Sequence, residues 1–291
     1  MMKKFYYILL YIIFLQTGPL NASPYFFFKK YMTVDGLSDN TVLCGLQDNY
    51  GFIWLGTSNG LNCYDGSSNI VYRNMLNEKS SYENNSIISL LEENQNIWIG
   101  ANYGLYIYNR FSNRFSRFNV ATKYGVTINS EVKKIRKARN GMIWICSMGQ
   151  GLFIYNPKNG TLYQNSLHSS FFCDICQGND GKVFLSSMDG TLLCFSENGN
   201  FIKSYSITNY IDNKNINCLK NINGEIWMGM NNGLYHFNKS KNILEKYDFI
   251  NYFGSIHCLL NYSPQEILVG TDKGLYLFNL LTKLYQRMDN P

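Results

Sequence analysis

One pattern of apolar and polar residues recurs six times along the chain, at intervals of 40 to 46 residues. Each copy contains an apolar strand with a large residue near its centre, a turn that carries Gly, and a second apolar strand that ends in an aromatic residue. The large residue is, in chain order, Trp54, Trp98, Trp144, Phe184, Trp227 and Leu268. All four tryptophans of the protein therefore fall at one position of the repeat, and a fixed period of this kind indicates a repeat architecture.

Each copy predicts four short antiparallel strands. In the first copy they cover residues 41–47, 52–56, 61–64 and 70–73, with Gly, Asn and Asp at the turns between them. Stacked helical repeats are excluded, because no copy contains a window with helical periodicity. Four strands in a period of this length predict a β-propeller blade, in which neighbouring sheets pack face to face around an axis. The glycines that follow the Trp position by two residues are expected to admit the neighbouring sheet closely.

The predicted fold is all-β, a β-propeller with six recognisable four-stranded blades in a domain covering residues 23–291. The blades cover roughly residues 38–75, 86–120, 129–164, 170–206, 215–248 and 254–288. An additional strand over residues 26–31 resembles the fourth strands of other blades and has no partners of its own. We expect it to belong to an incomplete seventh blade whose other three strands lie past residue 291. Closure as a six-bladed ring is the alternative.

The first 22 residues are expected to form a secretory signal peptide. Lys3 and Lys4 precede an eleven-residue apolar stretch, and a polar region of small residues follows and ends at Ala22. A membrane anchor is the alternative, but this stretch is shorter than the length needed to span a bilayer. The sequence therefore predicts an exported protein.

Composition and charge narrow the class of protein further. The chain has 24 glycines, 23 tyrosines and 19 phenylalanines, and only 16% of its residues are charged, which argues against disorder. The net charge is +6, and removal of the signal peptide with its two lysines leaves +4. A mildly basic, exported chain does not indicate a nucleic-acid binder.

The sequence predicts no catalytic residues, metal or cofactor. Its eight cysteines are expected to be free and mostly buried thiols, with a disulfide framework as the alternative for an exported chain with an even number of cysteines. The isolated pair Cys173 and Cys176 is weak evidence for a metal or redox site. The three histidines occur in separate repeats or loops; His236 and His257 are expected to pack in the core, although His257 has an axial position as its alternative. No hydrolase, metalloprotease or phosphate-loop motif is present.

Candidate ligand-binding residues lie mostly in the loops that join second to third strands and one blade to the next. Amide and aromatic groups suit sugars, because rings stack on sugar faces and amides bind hydroxyls. A basic run over residues 133–139 lies in the first strand of the third blade, where it is expected to attract a uronate or sulfated glycan; a solvated turn is the alternative. The predicted ligand-binding residues are Asn102, Tyr103, Lys123, Tyr124, Arg136, Tyr210, Asn231 and Lys273.

The chain resembles the two-component regulator propeller family over roughly residues 28–288. The resemblance rests on Val34-Asp-Gly-Leu-Ser38, and on the segment from Gln47-Asp48 through Gly51-Phe-Ile-Trp-Leu-Gly-Thr to Tyr64-Asp-Gly66. The fourth copy departs from the pattern, with Phe184 for Trp and Thr191 for Gly.

The resemblance implies the periplasmic sensor region of a hybrid two-component histidine kinase. In that family two seven-bladed propellers precede a β-sandwich, a membrane helix, a kinase and a response regulator. Such proteins sense oligosaccharides and control polysaccharide-utilisation genes. This chain then resembles an N-terminal fragment that is not itself an enzyme, that contacts the membrane only through missing C-terminal regions, and that has a second propeller or a second subunit as its partner. A propeller enzyme resembling streptogramin lyases and a non-catalytic scaffold are the alternatives.

Overall fold

The computed structural model describes residues 28–73, 85–165, 171–206, 215–238, 243–247 and 254–288. The chain divides into a unit of its two ends, residues 1–30 and 290–291, and a propeller unit, Tyr31–Asp289. Within the described residues the propeller contains six four-stranded antiparallel sheets and one 3-10 turn, Thr33–Asp35. In every sheet the strands pair in chain order. The prediction of an all-β propeller with six four-stranded blades is confirmed.

The first three blades are formed by strands β1 to β12. Their bounds are β1 Val42–Gln47, β2 Ile53–Thr57, β3 Gly60–Tyr64, β4 Asn69–Tyr72, β5 Ile87–Glu93, β6 Asn96–Ala101, β7 Gly104–Asn109, β8 Arg114–Arg117, β9 Val132–Lys137, β10 Ile143–Ser147, β11 Gly151–Asn156 and β12 Thr161–Asn165. In each blade the second strand carries the tryptophan of the repeat.

The other three blades are formed by strands β13 to β24. Their bounds are β13 Phe172–Gln177, β14 Val183–Ser187, β15 Thr191–Phe195, β16 Phe201–Ser206, β17 Ile216–Ile222, β18 Glu225–Met230, β19 Gly233–Asn238, β20 Ile243–Tyr247, β21 Ile256–Ser263, β22 Glu266–Thr271, β23 Gly274–Asn279 and β24 Tyr285–Arg287. The first strands of consecutive blades contact one another, so they are the inner strands of the propeller.

The hydrophobic core is divided into five clusters, each between two blades that are consecutive in the chain. Between blades one and two, for example, Trp54 and Leu61 pack against Ile87, Ile97 and Ile99. A four-stranded sheet cannot bury such large side chains alone, so each blade depends on its neighbour for its core. Among the described residues, no such cluster joins blade six to blade one.

The outer face of blade one, which points away from blade two, is partly exposed: Thr57 and Asn62 on this face are buried, but Ile53 is not. Ile53 and Ile97 occupy the same register position, opposite Tyr64 and Tyr108 in their respective sheets. Ile97 has no exposed surface, whereas Ile53 is 38% exposed. Blade six likewise exposes an apolar side chain, Leu260, on its inner strand. The seventh blade that would cover such faces stays a prediction.

The glycines beside the tryptophans allow the blades to approach, as the sequence predicts. A Cβ atom on Gly56 would lie 2.7 Å from the carbonyl oxygen of Ile87 in the next blade. The same atom on Gly100 would lie 2.8 Å from the carbonyl oxygen of Val132. Real Cβ atoms do not come so close to backbone atoms, so a side chain here would push the blades apart.

The segment before blade one does not form the strand predicted over residues 26–31. Residues 28–31 have no strand structure, and residues 26 and 27 lie outside the described residues. The chain instead turns at Thr33–Asp35 and crosses the outer face of blade one, the face that carries Tyr64 and Thr57. There Tyr31 packs on Tyr64 with ring centroids 5.4 Å apart, and Ser38 Oγ lies 2.7 Å from Thr57 Oγ1. These contacts hold the segment as a turn.

None of the described residues forms a helix with the length and apolar character that crossing a membrane requires. The expected signal peptide, residues 1–22, lies outside the described residues.

Candidate functional site

A cavity of about 270 Å³ lies among the inner strands of the propeller. Blades three, four and five provide most of its wall, and blade six adds one residue. Its lining residues are Arg136, Lys137, Ala138, Trp144, Ile175, Cys176, Gln177, Val183, Leu219, Lys220, Asn221 and Asn261. The lining residues that belong to inner strands lie at the C-terminal ends of those strands, next to the turn between the first and second strands of each blade. The cavity therefore opens at that end of the propeller.

Two cations of this wall occupy one register position of the repeat. Arg136 lies opposite Trp144 in blade three, and Lys220 lies opposite Trp227 in blade five. The other blades have apolar residues at the equivalent position: Leu46, Leu91, Cys176 and Leu260. The two charges are thus substitutions at a position that is apolar elsewhere, and both line the same cavity.

The charges of Arg136 and Lys220 are not neutralised by a carboxylate among the described residues. Two neighbouring lysines, in contrast, have carboxylate partners. Lys134 Nζ lies 3.1 Å from Asp174, and Lys137 Nζ lies 2.6 Å from Glu93. Burial lowers the pKa of the Lys220 ammonium below its ordinary value, and the nearby Arg136 guanidinium lowers it further. The cavity is consequently an electropositive site with no carboxylate in its lining.

Amide side chains fix the turns beneath the cavity. Asn221 Nδ2 donates to the carbonyl oxygen of Gln177 at 2.8 Å and so joins blades five and four. Gln177 Nε2 donates to Glu197 Oε1 at 2.8 Å, and Glu197 also accepts from the backbone N–H of Asn140 at 2.8 Å. Glu197 supports the lining from behind, and its Oε1 atom already accepts two hydrogen bonds. These bonds hold the wall of the cavity in one arrangement.

The tryptophan of blade three has an unusual environment. In blade one Trp54 Nε1 donates to Asp48 Oδ2 at 2.7 Å. Ala138 takes the place of Asp48 in the corresponding turn of blade three. The equivalence is shown by the backbone: the N–H of Asp48 donates to Phe52 O, and the N–H of Ala138 donates to Met142 O. Trp144 Nε1 is consequently buried with no hydrogen-bond partner. Trp98 Nε1 also lacks a partner but does not line the cavity.

Of the eight ligand-binding residues predicted from sequence, the structure places Arg136 in the cavity wall. Asn102 and Tyr103 form the second turn of blade two, and Lys123 lies 4.7 Å from the ring centroid of Tyr124 in the loop that follows. Asn231 and Lys273 lie in the corresponding turns of blades five and six, and Tyr210 lies outside the described residues. These loops are at the opposite end from the cavity, and their role in binding stays a prediction.

Sequence reasoning missed Lys220, Trp144 and Ala138 as members of this site. The signal was present in the repeat itself. Alignment of each inner-strand position opposite the tryptophan shows a cation in two of six copies, and alignment of the following turn shows Asp48 replaced by Ala138.

The histidines behave differently from one another. His236 packs as predicted: its ring stacks on Trp227 at 4.9 Å, and its side chain is 13% exposed. The expectation of a core position for His257 is wrong. Its side chain is 57% exposed and bonds to Asp272 Oδ1 at 2.5 Å, because it is the extra residue of a β-bulge in β21, a position that is not buried in any of the six blades. His168 lies outside the described residues.

The eight cysteines are all free thiols, as predicted. Burial raises the pKa of Cys44 to about 12 and that of Cys176 to about 11, so neither is a reactive thiolate at neutral pH. Among the described residues, no group of three or more His, Cys, Asp or Glu side chains is placed to hold a metal ion.

Comparison with known proteins finds a local sequence similarity to a histidine kinase and structural similarity to several propellers. No protein-family model matches the chain. A stretch of 56 residues, 19% of the chain, is 41% identical to histidine kinase P4 of Formosa agariphila and covers 4% of that protein. The extracellular domain of the hybrid two-component system BT3049 from B. thetaiotaomicron matches 90% of this chain, with a TM-score of 0.76 and 22% identity; the chain spans 37% of that domain.

A propeller enzyme is also similar in structure. Virginiamycin B lyase from Staphylococcus aureus matches 83% of this chain and 82% of its own, with a TM-score of 0.63 and 13% identity. At this level of identity both structural likenesses concern the fold.

Proposed function

We propose that this propeller is the periplasmic sensor module of a two-component signalling system and that it binds an oligosaccharide in its central cavity. In this proposal the ligand controls polysaccharide-utilisation genes through a histidine kinase. The sequence relation to histidine kinase P4 and the structural likeness to the BT3049 extracellular domain support the signalling role. The observation that carries ligand binding is the cavity itself.

The chemistry of the cavity suits a sugar. Its volume of about 270 Å³ is near the lower end for small-molecule sites, which fits one sugar residue with the rest of the chain at the mouth. Asn261 offers an amide for hydroxyl groups, whereas Gln177 and Asn221, whose N–H groups are already bonded within the protein, offer their amide oxygens as acceptors. The bonds that fix Asn221 and Gln177 reduce the ordering that binding requires.

Transmission in this proposal requires that the ligand bind one arrangement of the module better than another. The cavity wall is shared by four blades, so a ligand in it contacts several sheets together. A shift between those sheets would change how the propeller packs against a second propeller or a second subunit, which are the partners that we propose.

Calorimetric titration of the purified chain with a panel of neutral and acidic oligosaccharides tests the proposal. We expect binding of at least one class, with competition between ligands that share the cavity. Binding that is unchanged when Asn221 and Asn261 are both replaced by Leu would place the ligand elsewhere. Absence of binding to every sugar, together with turnover of another substrate, would instead favour the lyase-like alternative.

A further inference from the structure

Lys220 lacks the acidic partner that other lysines of the neighbouring blades have. Four lysines of blades three and four have a carboxylate oxygen within 3.1 Å of Nζ: Lys133, Lys134, Lys137 and Lys182. Among the described residues, no carboxylate forms such an ion pair with Lys220. The fold therefore leaves the charge of its ammonium group without direct compensation.

The surroundings of Lys220 also favour the neutral amine. Burial is the larger cause and the positive charge of Arg136 the next, and both lower the pKa of Lys220. Two further charges, those of Lys134 and Asp174, act on it in opposite directions and are paired with each other at 3.1 Å. Cys176, the remaining titratable neighbour, is a neutral thiol because burial raises its pKa to about 11. A lysine in such surroundings is a better nucleophile at neutral pH than an exposed one.

A small ligand can reach this lysine. Lys220 is half-buried and lines the cavity of about 270 Å³, together with Arg136, which is exposed and has no carboxylate partner among the described residues. Blades one, two and six have leucine at the register position of both residues, so the blade architecture itself requires neither cation. A ligand with an acid group next to a carbonyl group offers an anion to Arg136 and an electrophile to Lys220.

From this arrangement we infer that Lys220 binds a small 2-oxo acid covalently, as an imine, with the acid group of the ligand at Arg136. The inference goes beyond the proposed function, because it gives the cavity a second, covalent class of ligand. An oligosaccharide and a 2-oxo acid then compete for the same space.

The reaction is a reversible condensation. The Lys220 ammonium group first releases a proton to water, and the amine nitrogen attacks the carbonyl carbon to form a carbinolamine. The carbinolamine loses its hydroxyl group and one nitrogen-bound proton as water, which leaves the C=N bond of the imine. The step consumes no oxidant or reductant, and addition of water reverses it.

Reductive trapping tests the covalent site. The purified chain is incubated with pyruvate and cyanoborohydride, which reduces the imine to a stable secondary amine, and peptide mass spectrometry identifies the modified lysines. We expect Lys220 to be modified at least about tenfold faster than Lys158, an exposed lysine in a turn of blade three. The advantage should grow as the pH is lowered from about 9 to about 7, because the lowered pKa of Lys220 preserves more of its amine. Equal rates at the two lysines would overturn the inference.

The place of the acid group is tested with a neutral analogue. Methyl pyruvate keeps the carbonyl group and removes the charge. Arg136→Leu is expected to reduce the preference of Lys220 for pyruvate over methyl pyruvate about tenfold. The ratio of the two rates isolates binding of the acid group, since a change in the pKa of Lys220 affects both ligands alike. An unchanged ratio in the folded variant would contradict the place assigned to the acid group.

A variant that keeps the charge provides the control for the nucleophile. Lys220→Arg retains a cation in the cavity wall but has no amine, so modification in this segment of the chain should disappear while Lys158 reacts as before. An oligosaccharide found to bind the cavity by calorimetry should protect Lys220 of the parent chain from pyruvate. Selective trapping of Lys220 without binding of any sugar would refute the proposed function and support the covalent site. Sugar binding without selective trapping would refute the covalent site alone.

Discussion

The folded chain stabilises the charged form of Lys220 poorly. It is half-buried, it lies near Arg136, and it has no carboxylate partner among the described residues. Burial and the guanidinium both lower its pKa, which means that the fold disfavours its charged form. Residues that cost stability in the free protein are typical of sites that await a ligand.

Replacement of this lysine by leucine should therefore stabilise the free protein. Lys220→Leu is expected to raise the free energy of unfolding by about 0.5–2 kcal/mol, because it removes a half-buried charge and adds the apolar residue of other blades. Denaturant unfolding of the variant and the parent measures the change. Lys158→Leu, at an exposed position, should stay within about 0.5 kcal/mol of the parent. A destabilised Lys220→Leu variant would show that the lysine has a structural partner.

At the scale of the blade, the repeat depends on glycines that face the next sheet. Gly56 and Gly45 both lie in blade one, on neighbouring strands, and neither has a positive φ angle. A Cβ atom on Gly45 would make an ordinary contact at 3.6 Å with Leu55, whereas one on Gly56 would press on the backbone of blade two. The two positions thus separate the effect of an added methyl group from the effect of blade contact.

We expect Gly56→Ala to lower the free energy of unfolding by about 1–3 kcal/mol, because the blades must move apart. Gly45→Ala should cost little or stabilise slightly, since alanine restricts the unfolded chain more than glycine does. Thermal and denaturant unfolding of the two variants provide the comparison. Similar losses in both would mean that the added methyl group itself, and not the approach of blade two, is responsible.

The sequence predicted the blades well because their signal is local and repeated. Each tryptophan, turn glycine and aromatic strand end lies within one copy of the pattern, so comparison of the copies revealed them. The cavity was predicted only through Arg136, because its other members come from strands far apart in the chain. Trp144 Nε1 lacks a hydrogen-bond partner because Ala138 stands where blade one has Asp48, and His257 is exposed because it is the extra residue of a β-bulge. Such features depend on tertiary surroundings that a single strand pattern does not contain.

At the scale of the whole propeller, the same residue type at equivalent positions contributes differently to stability in different blades. Ile53 and Ile97 occupy equivalent positions, but only Ile97 lies in a cluster between two blades. Ile97→Ala is expected to cost about 2–5 kcal/mol through loss of buried surface and the cavity left behind. Ile53→Ala should cost about 1 kcal/mol or less, because this side chain is already partly in water. Equal costs, measured by denaturant unfolding, would show that the outer face of blade one is covered in solution.

The five inter-blade clusters also determine the order in which the propeller opens. Among the described residues, blades two to five each have a core on both sides, whereas blades one and six have one each. In an array stabilised by contacts between neighbours, local unfolding begins at the units with fewest neighbours and proceeds inward. Blades three, four and five, which hold most of the cavity wall, are then the last to open. Fluctuations that loosen the ends of the array therefore leave most of the cavity wall formed.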